Sequence, residues 1–129
     1  MTEYLFTYGT LQPGHAPDEI APAIEKLHPI GPGYFHGLLY DLGGHPGAIL
    51  DPSANRKIYG TIYRLPDDAQ LLSQLDAYEE FDPREPLQSL YLRTLITATL
   101  ASGRSLPCWI YLYNRQPDPT RILAGGRWA

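Results

Sequence analysis

The feature that most constrains this chain is a strict alternation of side chains over residues 89–100, followed after Ser102-Gly103-Arg104 by a second extended run over 106–113. Successive side chains of a strand point to opposite faces. Leu90, Leu92, Thr94, Ile96, Ala98 and Leu100 are therefore expected on one face, with Tyr91, Arg93, Leu95, Thr97 and Thr99 on the other. The short glycine-containing connection predicts a hairpin. In its second strand Trp109, Tyr111 and Tyr113 share a face opposite Cys108, Ile110 and Leu112.

Further strands are expected around this hairpin. Residues 3–8 alternate and stop at Gly9. Residues 34–41 and 48–50 form a pair around the Gly43-Gly44-His45-Pro46-Gly47 loop, and 57–65 alternate again. Gly60 inside that last run marks a bulge or a close backbone approach. Residues 13–18 are turn-rich, the tail from Pro117 is irregular, and Ile20, Ile24 and Leu27 give a short helix despite Pro22. One longer helix is predicted over 66–80, with Asp67 and Gln70 as its capping pair. Leu71, Leu72, Leu75 and Tyr78 form its apolar stripe. At about 100° per residue Glu79 falls inside that stripe and Glu80 well outside it.

The composition narrows the function classes. A chain of 129 residues with 43% apolar content is expected to form one domain, residues 1–129, around one core. A net charge of −4 and the lack of a Lys/Arg cluster argue against a nucleic-acid partner, because such affinity rests largely on neutralised phosphates. No charged-then-apolar leader and no run of roughly 18 apolar residues is present, so the expected setting is cytoplasmic, away from membranes. Cys108 has no partner for a disulfide or a metal site and reads as a small buried residue. His15, His28, His36 and His45 lack metal-ligand spacing and read as turn or surface residues.

Two features point to chemistry. A carboxylate facing a core is costly unless it is paired, solvated in a cleft or readily protonated. Glu79 thus either ends its helix and reaches water past Tyr78, or serves as a general base whose pKa is raised by burial. Tyr8-Gly9-Thr10-Leu11, closing the first strand, is either an ordinary turn or a concavity of backbone N–H groups suited to a carboxylate or an oxyanion.

The YGTL turn, a later strand with Gly and Tyr, the helix ending Leu75-Asp76-Ala77-Tyr78-Glu79, the Tyr91-x-Arg93 strand start, the Tyr-rich last strand and a closing Gly-x-Trp follow in order. In this order the chain resembles the gamma-glutamylcyclotransferase-like family, which includes the AIG2-like proteins, from Tyr4 to about Trp128. The resemblance implies an α+β fold: a mixed, partly closed β-barrel with flanking helices and a pocket between the YGTL loop and the glutamate. It also implies conversion of a small γ-glutamyl amine or γ-glutamyl amino acid to 5-oxoproline and the free amine. Glu79 would be the acid/base, and Tyr8, Gly9, Thr10 and Leu11 would hold the glutamyl head group through main-chain donors.

That chemistry suits the parts, because the substrate's own α-amine attacks its γ-carbonyl and the enzyme supplies positioning and proton transfer. It calls for no metal or organic cofactor. Tyr113 is the candidate tyrosine for substrate contact, although half-buried strand aromatics are commonly structural, a reading that extends to Tyr40, Tyr63 and Tyr91. The expected partner is a small γ-glutamyl molecule, and the expected state a monomer or weak homodimer. Two alternatives remain: a ligand-binding member without turnover, and an enzyme that removes a γ-glutamyl protecting group from a biosynthetic intermediate, with the 43–47 loop and the tail accommodating a larger amine. The chain departs from the family where Glu80 follows Glu79 in place of a frequent glycine. The 81–86 loop is stiff, and helix geometry predicts only a small effect of Glu80 on Glu79, with Arg84 available to offset it.

Overall fold

The computed structural model describes residues 2–9, 11, 16–53 and 55–128. Six strands form its sheet: β1 (Tyr4–Thr7), β2 (His28–Asp41), β3 (Pro46–Leu50), β4 (Lys57–Arg64), β5 (Tyr91–Leu100) and β6 (Ser105–Tyr113). They run in the order β3-β2-β4-β1-β6-β5, and β2 pairs again with β5 through Gly33 opposite Leu100 and Tyr34 opposite Thr99. That second pairing closes β2, β4, β1, β6 and β5 into a barrel and leaves β3 as an appended edge strand. The barrel is mixed because β1 runs parallel to β6 while the other pairings are antiparallel. The expectation of a partly closed barrel thus becomes a closed one.

The predicted hairpin is present in register, with Tyr91 opposite Tyr113 and Ile96 opposite Cys108. Its alternation separates two cores. Cys108 and Ile110 point inward with Phe6, Phe35, Ile58, Ile62, Ile96 and Ala98, filling the barrel, where Phe6 and Phe35 meet edge to face at 5.2 Å. Tyr91 and Tyr111 point outward and are covered with Leu5 and Tyr63 by two helices, α1 (Ala21–Ile24) and α2 (Ala69–Tyr78). Ile24, Leu71 and Leu75 are buried in this outer layer, each contributing about 1.5–3 kcal/mol of transfer free energy. Among the described residues no helix is long and apolar enough to cross a membrane.

Gly60 is a close approach: a Cβ there would lie 2.1 Å from the Thr7 carbonyl oxygen and 2.8 Å from the Phe6 ring. Two boundaries differ from the sequence reading. β2 begins at His28, because its first six residues pair with β4 through a register shift between Pro29 and Gly31 that prolines and glycines disguise in sequence. The N-cap of α2 is Asp68 in place of Asp67, its Oδ1 accepting the Gln70 N–H at 3.0 Å. The tail contains a 3₁₀ turn, Pro119–Arg121, capped by Asp118, and Ile122 forms a bridge with Tyr40.

Candidate active site

A cavity of about 320 Å³ lies where β1 ends, between the barrel wall and the C-terminal end of α2. This is at the small end of the roughly 300–1,000 Å³ typical of small-molecule sites. Leu5, Thr7, Tyr8, Gly9 and Leu11 reach it from β1 and its following turn. Tyr78, Glu79 and Glu80 come from the helix end, and Tyr91 and Tyr111 from the hairpin. His45 and Pro46 contribute from the loop between β2 and β3. That loop is shaped by Asp41, whose Oδ1 accepts the Gly43 and Gly44 N–H groups at 2.9 and 3.0 Å, which lowers the Asp41 pKa. Gly9 packs on this loop so closely that a Cβ would lie 2.9 Å from Pro46 Cγ.

The fold therefore brings together Tyr8, Gly9, Leu11 and Glu79, residues far apart in sequence. Thr10 and His15 lie outside the described residues. Tyr113 does not line the cavity; its ring sits 5.7 Å from the Tyr91 ring, tilted by 59°. The tyrosines that do line it, besides Tyr8 and Tyr78, are Tyr91 and Tyr111. Period-two alternation assigns each of these to a face but gives no sign of which rung meets the helix end.

Glu79 is the C-cap of α2, its N–H donating to the Leu75 carbonyl at 2.9 Å, and its side chain is half-buried. Burial pushes its carboxyl up from 4.5 to about 7, with repulsion from Glu80 as a second cause. Among the described residues no side chain or backbone group donates a hydrogen bond to this carboxylate. The general base of a proton transfer works best near the ambient pH, and this carboxyl is placed there.

The helix ends in a Schellman arrangement. Phe81 N–H donates to the Asp76 carbonyl at 2.9 Å and Glu80 N–H to the Ala77 carbonyl at 3.2 Å, with Glu80 in the left-handed region at φ 57°. Glu80 thus leaves the helical path, and the projection that pointed it away from Glu79 does not apply. It lines the cavity mouth and repels Glu79. Arg84 does not offset this repulsion, because its side chain is exposed and pairs with Asp82 at 3.3 Å. Glu80→Gly is expected to stabilise the fold by about 1 kcal/mol by removing left-handed strain, and to lower the Glu79 pKa. Thermal denaturation and NMR titration of the Glu79 carboxyl would check the two effects.

Behind the cavity wall, Asp76 is buried at 6% exposure. Arg93 binds it with Nε on Oδ1 at 2.8 Å and Nη2 on Oδ2 at 3.3 Å, and Tyr111 Oη donates to Oδ1 at 2.8 Å. The guanidinium lies over the Trp109 ring at 4.5 Å. Arg93 thus pairs with Asp76, one turn before Glu79. A buried aspartate was not singled out in the sequence, although its three-residue spacing from Glu79 places both near one face of the helix. Cys108 is fully buried in the barrel, where burial pushes its thiol up to about 11, as suits a packing residue.

Comparison with known proteins follows the same lines. The family described as "Gamma-glutamyl cyclotransferase, AIG2-like" matches residues 5–129. The gamma-glutamylcyclotransferase family protein YtfP of Escherichia coli K12 is 31% identical over 90 residues, spanning 70% of this chain and 66% of that protein. An AIG2-like protein from Mus musculus superposes with a TM-score of 0.74 at 22% identity, over 99% of this chain and 88% of its own. YkqA from Bacillus subtilis gives 0.73 at 21% identity, over 99% of this chain but 40% of that longer protein. At these identities the two structural likenesses bear on the fold, and the match over residues 5–129 bears on descent: the chain belongs to the gamma-glutamyl cyclotransferase, AIG2-like family.

Proposed function

We propose that this protein is a γ-glutamyl cyclotransferase acting on a small γ-glutamyl amine or γ-glutamyl amino acid, with Glu79 as its acid/base. The observation that carries the reading is a half-buried carboxyl in the wall of a small cavity, without a hydrogen-bond donor among the described residues and pushed by burial up to about 7. In the proposed reaction Glu79 takes a proton from the substrate's α-ammonium, and the freed amine attacks the γ-carbonyl to form a five-membered lactam. The bond to the departing nitrogen then breaks as Glu79 returns the proton to it, and the second proton shed by the ring nitrogen passes by way of Glu79 to the released amine, which leaves as an ammonium. 5-Oxoproline and the free amine leave, and Glu79 is again a carboxylate.

Tyr8, Gly9, Thr10 and Leu11 are assigned to the glutamyl head group, with main-chain N–H groups of the turn meeting its carboxylate. The apolar walls, Leu5, Leu11 and Leu90, favour a folded glutamyl chain and keep water from the base.

The pH dependence follows from the Glu79 carboxyl at about 7. Because the base must be deprotonated in the free enzyme, kcat/KM is expected to rise about tenfold per pH unit below 7 and to level above it. Glu80→Gln removes a repelling charge, so the acid limb should move to lower pH. Initial rates of 5-oxoproline formation from pH 5 to about 9 test this, and a rate independent of pH across 6–8 would contradict it.

A further inference from the structure

Glu80 carries two costs that a glycine would avoid. Among the described residues it is the only non-glycine residue in the left-handed region, at φ 57°, in the position after the helix cap where glycine is the usual occupant. Its charge also repels Glu79, the carboxyl assigned as the base. The backbone is held there from both sides: the Glu80 N–H donates to the Ala77 carbonyl at 3.2 Å, and the Glu80 carbonyl accepts the Leu90 N–H at 3.2 Å. The side chain is exposed, and no described residue bonds or pairs with its carboxylate. Contacts within the protein therefore give no reason for a carboxylate at this position, which leaves the ligand as its partner.

Positive charge is missing around it. No Lys or Arg lines the cavity, and the residues outside the described set include neither. The arginines at this end of the helix are engaged elsewhere: Arg93 on Asp76, Arg84 on Asp82, and Arg115 on the carbonyls of Gln88, Ser89 and Asn114. Glu80 also lines a neighbouring hollow of about 490 Å³, with Ser73, Phe81 and Gln88, and no Lys or Arg lines that either. Among the described residues His45 is the one cavity-lining group that can become positive.

Glu79 returns its proton to the departing nitrogen, so the substituent on that nitrogen starts beside the residue that precedes Glu80. From there the way out of the protein runs from the half-buried Glu79 to the exposed Glu80. We propose that Glu80 selects the departing amine by charge, which makes γ-glutamyl conjugates of di- and polyamines better substrates than γ-glutamyl amino acids. The assignment rests on the cyclotransferase reading, which divides the ligand into a glutamyl head and a departing amine. A second ammonium on that amine gains the Glu80 carboxylate as a partner. The second carboxylate of a γ-glutamyl amino acid meets its repulsion instead, with no lysine or arginine to offset it.

Three γ-L-glutamyl compounds whose departing amines share one length test this: those of 1,4-diaminobutane, n-pentylamine and 5-aminopentanoate. Rates of 5-oxoproline release are compared at about pH 8, where an imidazole is ordinarily uncharged. For the native protein kcat/KM is expected to be about threefold higher for the diamine than for pentylamine and about threefold lower for the aminopentanoate, the size of an interaction at an exposed carboxylate. Both differences should shrink in about 0.5 M salt. Glu80→Gln should bring the three compounds together, and Glu80→Lys should reverse their order. A variant that merely disturbs the helix end lowers all three alike and leaves the order as it was. Equal rates with the native protein, or an order unchanged in both variants, would overturn the selection and leave the cyclotransferase reading standing. If no compound is turned over, calorimetric titration of the native protein with the same three decides: the same order of affinity keeps the selection and removes the cyclotransferase reading. Equal affinities, or no binding at about 10 mM, would remove both.

Discussion

Glu79→Gln is expected to fold and to lose 5-oxoproline formation by about 10²–10⁴-fold, the usual contribution of a positioned acid/base. The amide is nearly isosteric, so the cavity should keep its shape while the proton acceptor disappears. The same substitution has a stability signature of opposite sign. A folded-state carboxyl at about 7, against 4.5 for an ordinary one, means that the folded protein holds a proton that the unfolded chain releases. Stability therefore falls as pH rises from about 4.5 through 7 and levels off above. Glu79→Gln should be more stable than the native protein at pH 8, with the difference fading below pH 5. Denaturant melts at the two pH values would measure this. A less stable variant at pH 8 would show that the carboxylate is paired in a way the structure does not contain.

The second large effect concerns the pair behind the wall. Arg93→Ala would leave Asp76 buried with the Tyr111 hydroxyl as its remaining side-chain partner, and would strip a guanidinium from the face of Trp109. Breaking one side of a buried ion pair costs about 3–5 kcal/mol, a large share of the 5–15 kcal/mol typical of a domain. The double variant Asp76→Asn, Arg93→Met should lose less than Arg93→Ala alone, because no charge is then left uncompensated. Chemical denaturation of both would check the order. A loss under about 1 kcal/mol for Arg93→Ala would mean that water reaches Asp76 readily.

These expectations draw on features of unequal visibility in the sequence. The hairpin was legible to within two residues at its ends, because alternation over β5 and β6 reports directly on a barrel wall with different surroundings on its two faces. The inward position of Glu79 was legible too, since a 3.6-residue period places it beside Leu72 and Leu75. Glu80 was misjudged, because a helical projection holds only while the helix continues, and the chain turns left-handed at that residue.

The start of β2 was hidden because Pro29, Gly31, Pro32 and Gly33 carry no strand propensity, and only pairing with β4 makes them extended. The site tyrosines were hidden for a different reason. Tyr91, Tyr111 and Tyr113 are equivalent in alternation, and only the position of the α2 terminus over the barrel separates the two at the cavity from the one behind it. Asp76 read as one acid among several until Arg93, seventeen residues on and in another element, was seen to bind it.

The central claim is that this cavity closes γ-glutamyl compounds to 5-oxoproline with Glu79 as the base. Mass-spectrometric detection of 5-oxoproline tests it most directly, using a panel of γ-glutamyl amines, γ-glutamyl amino acids and glutathione, with the native and Glu79→Gln proteins side by side. Release from at least one compound by the native protein, and none above background by the variant, is the predicted result. No release from any of them, or equal release by both proteins, would contradict it.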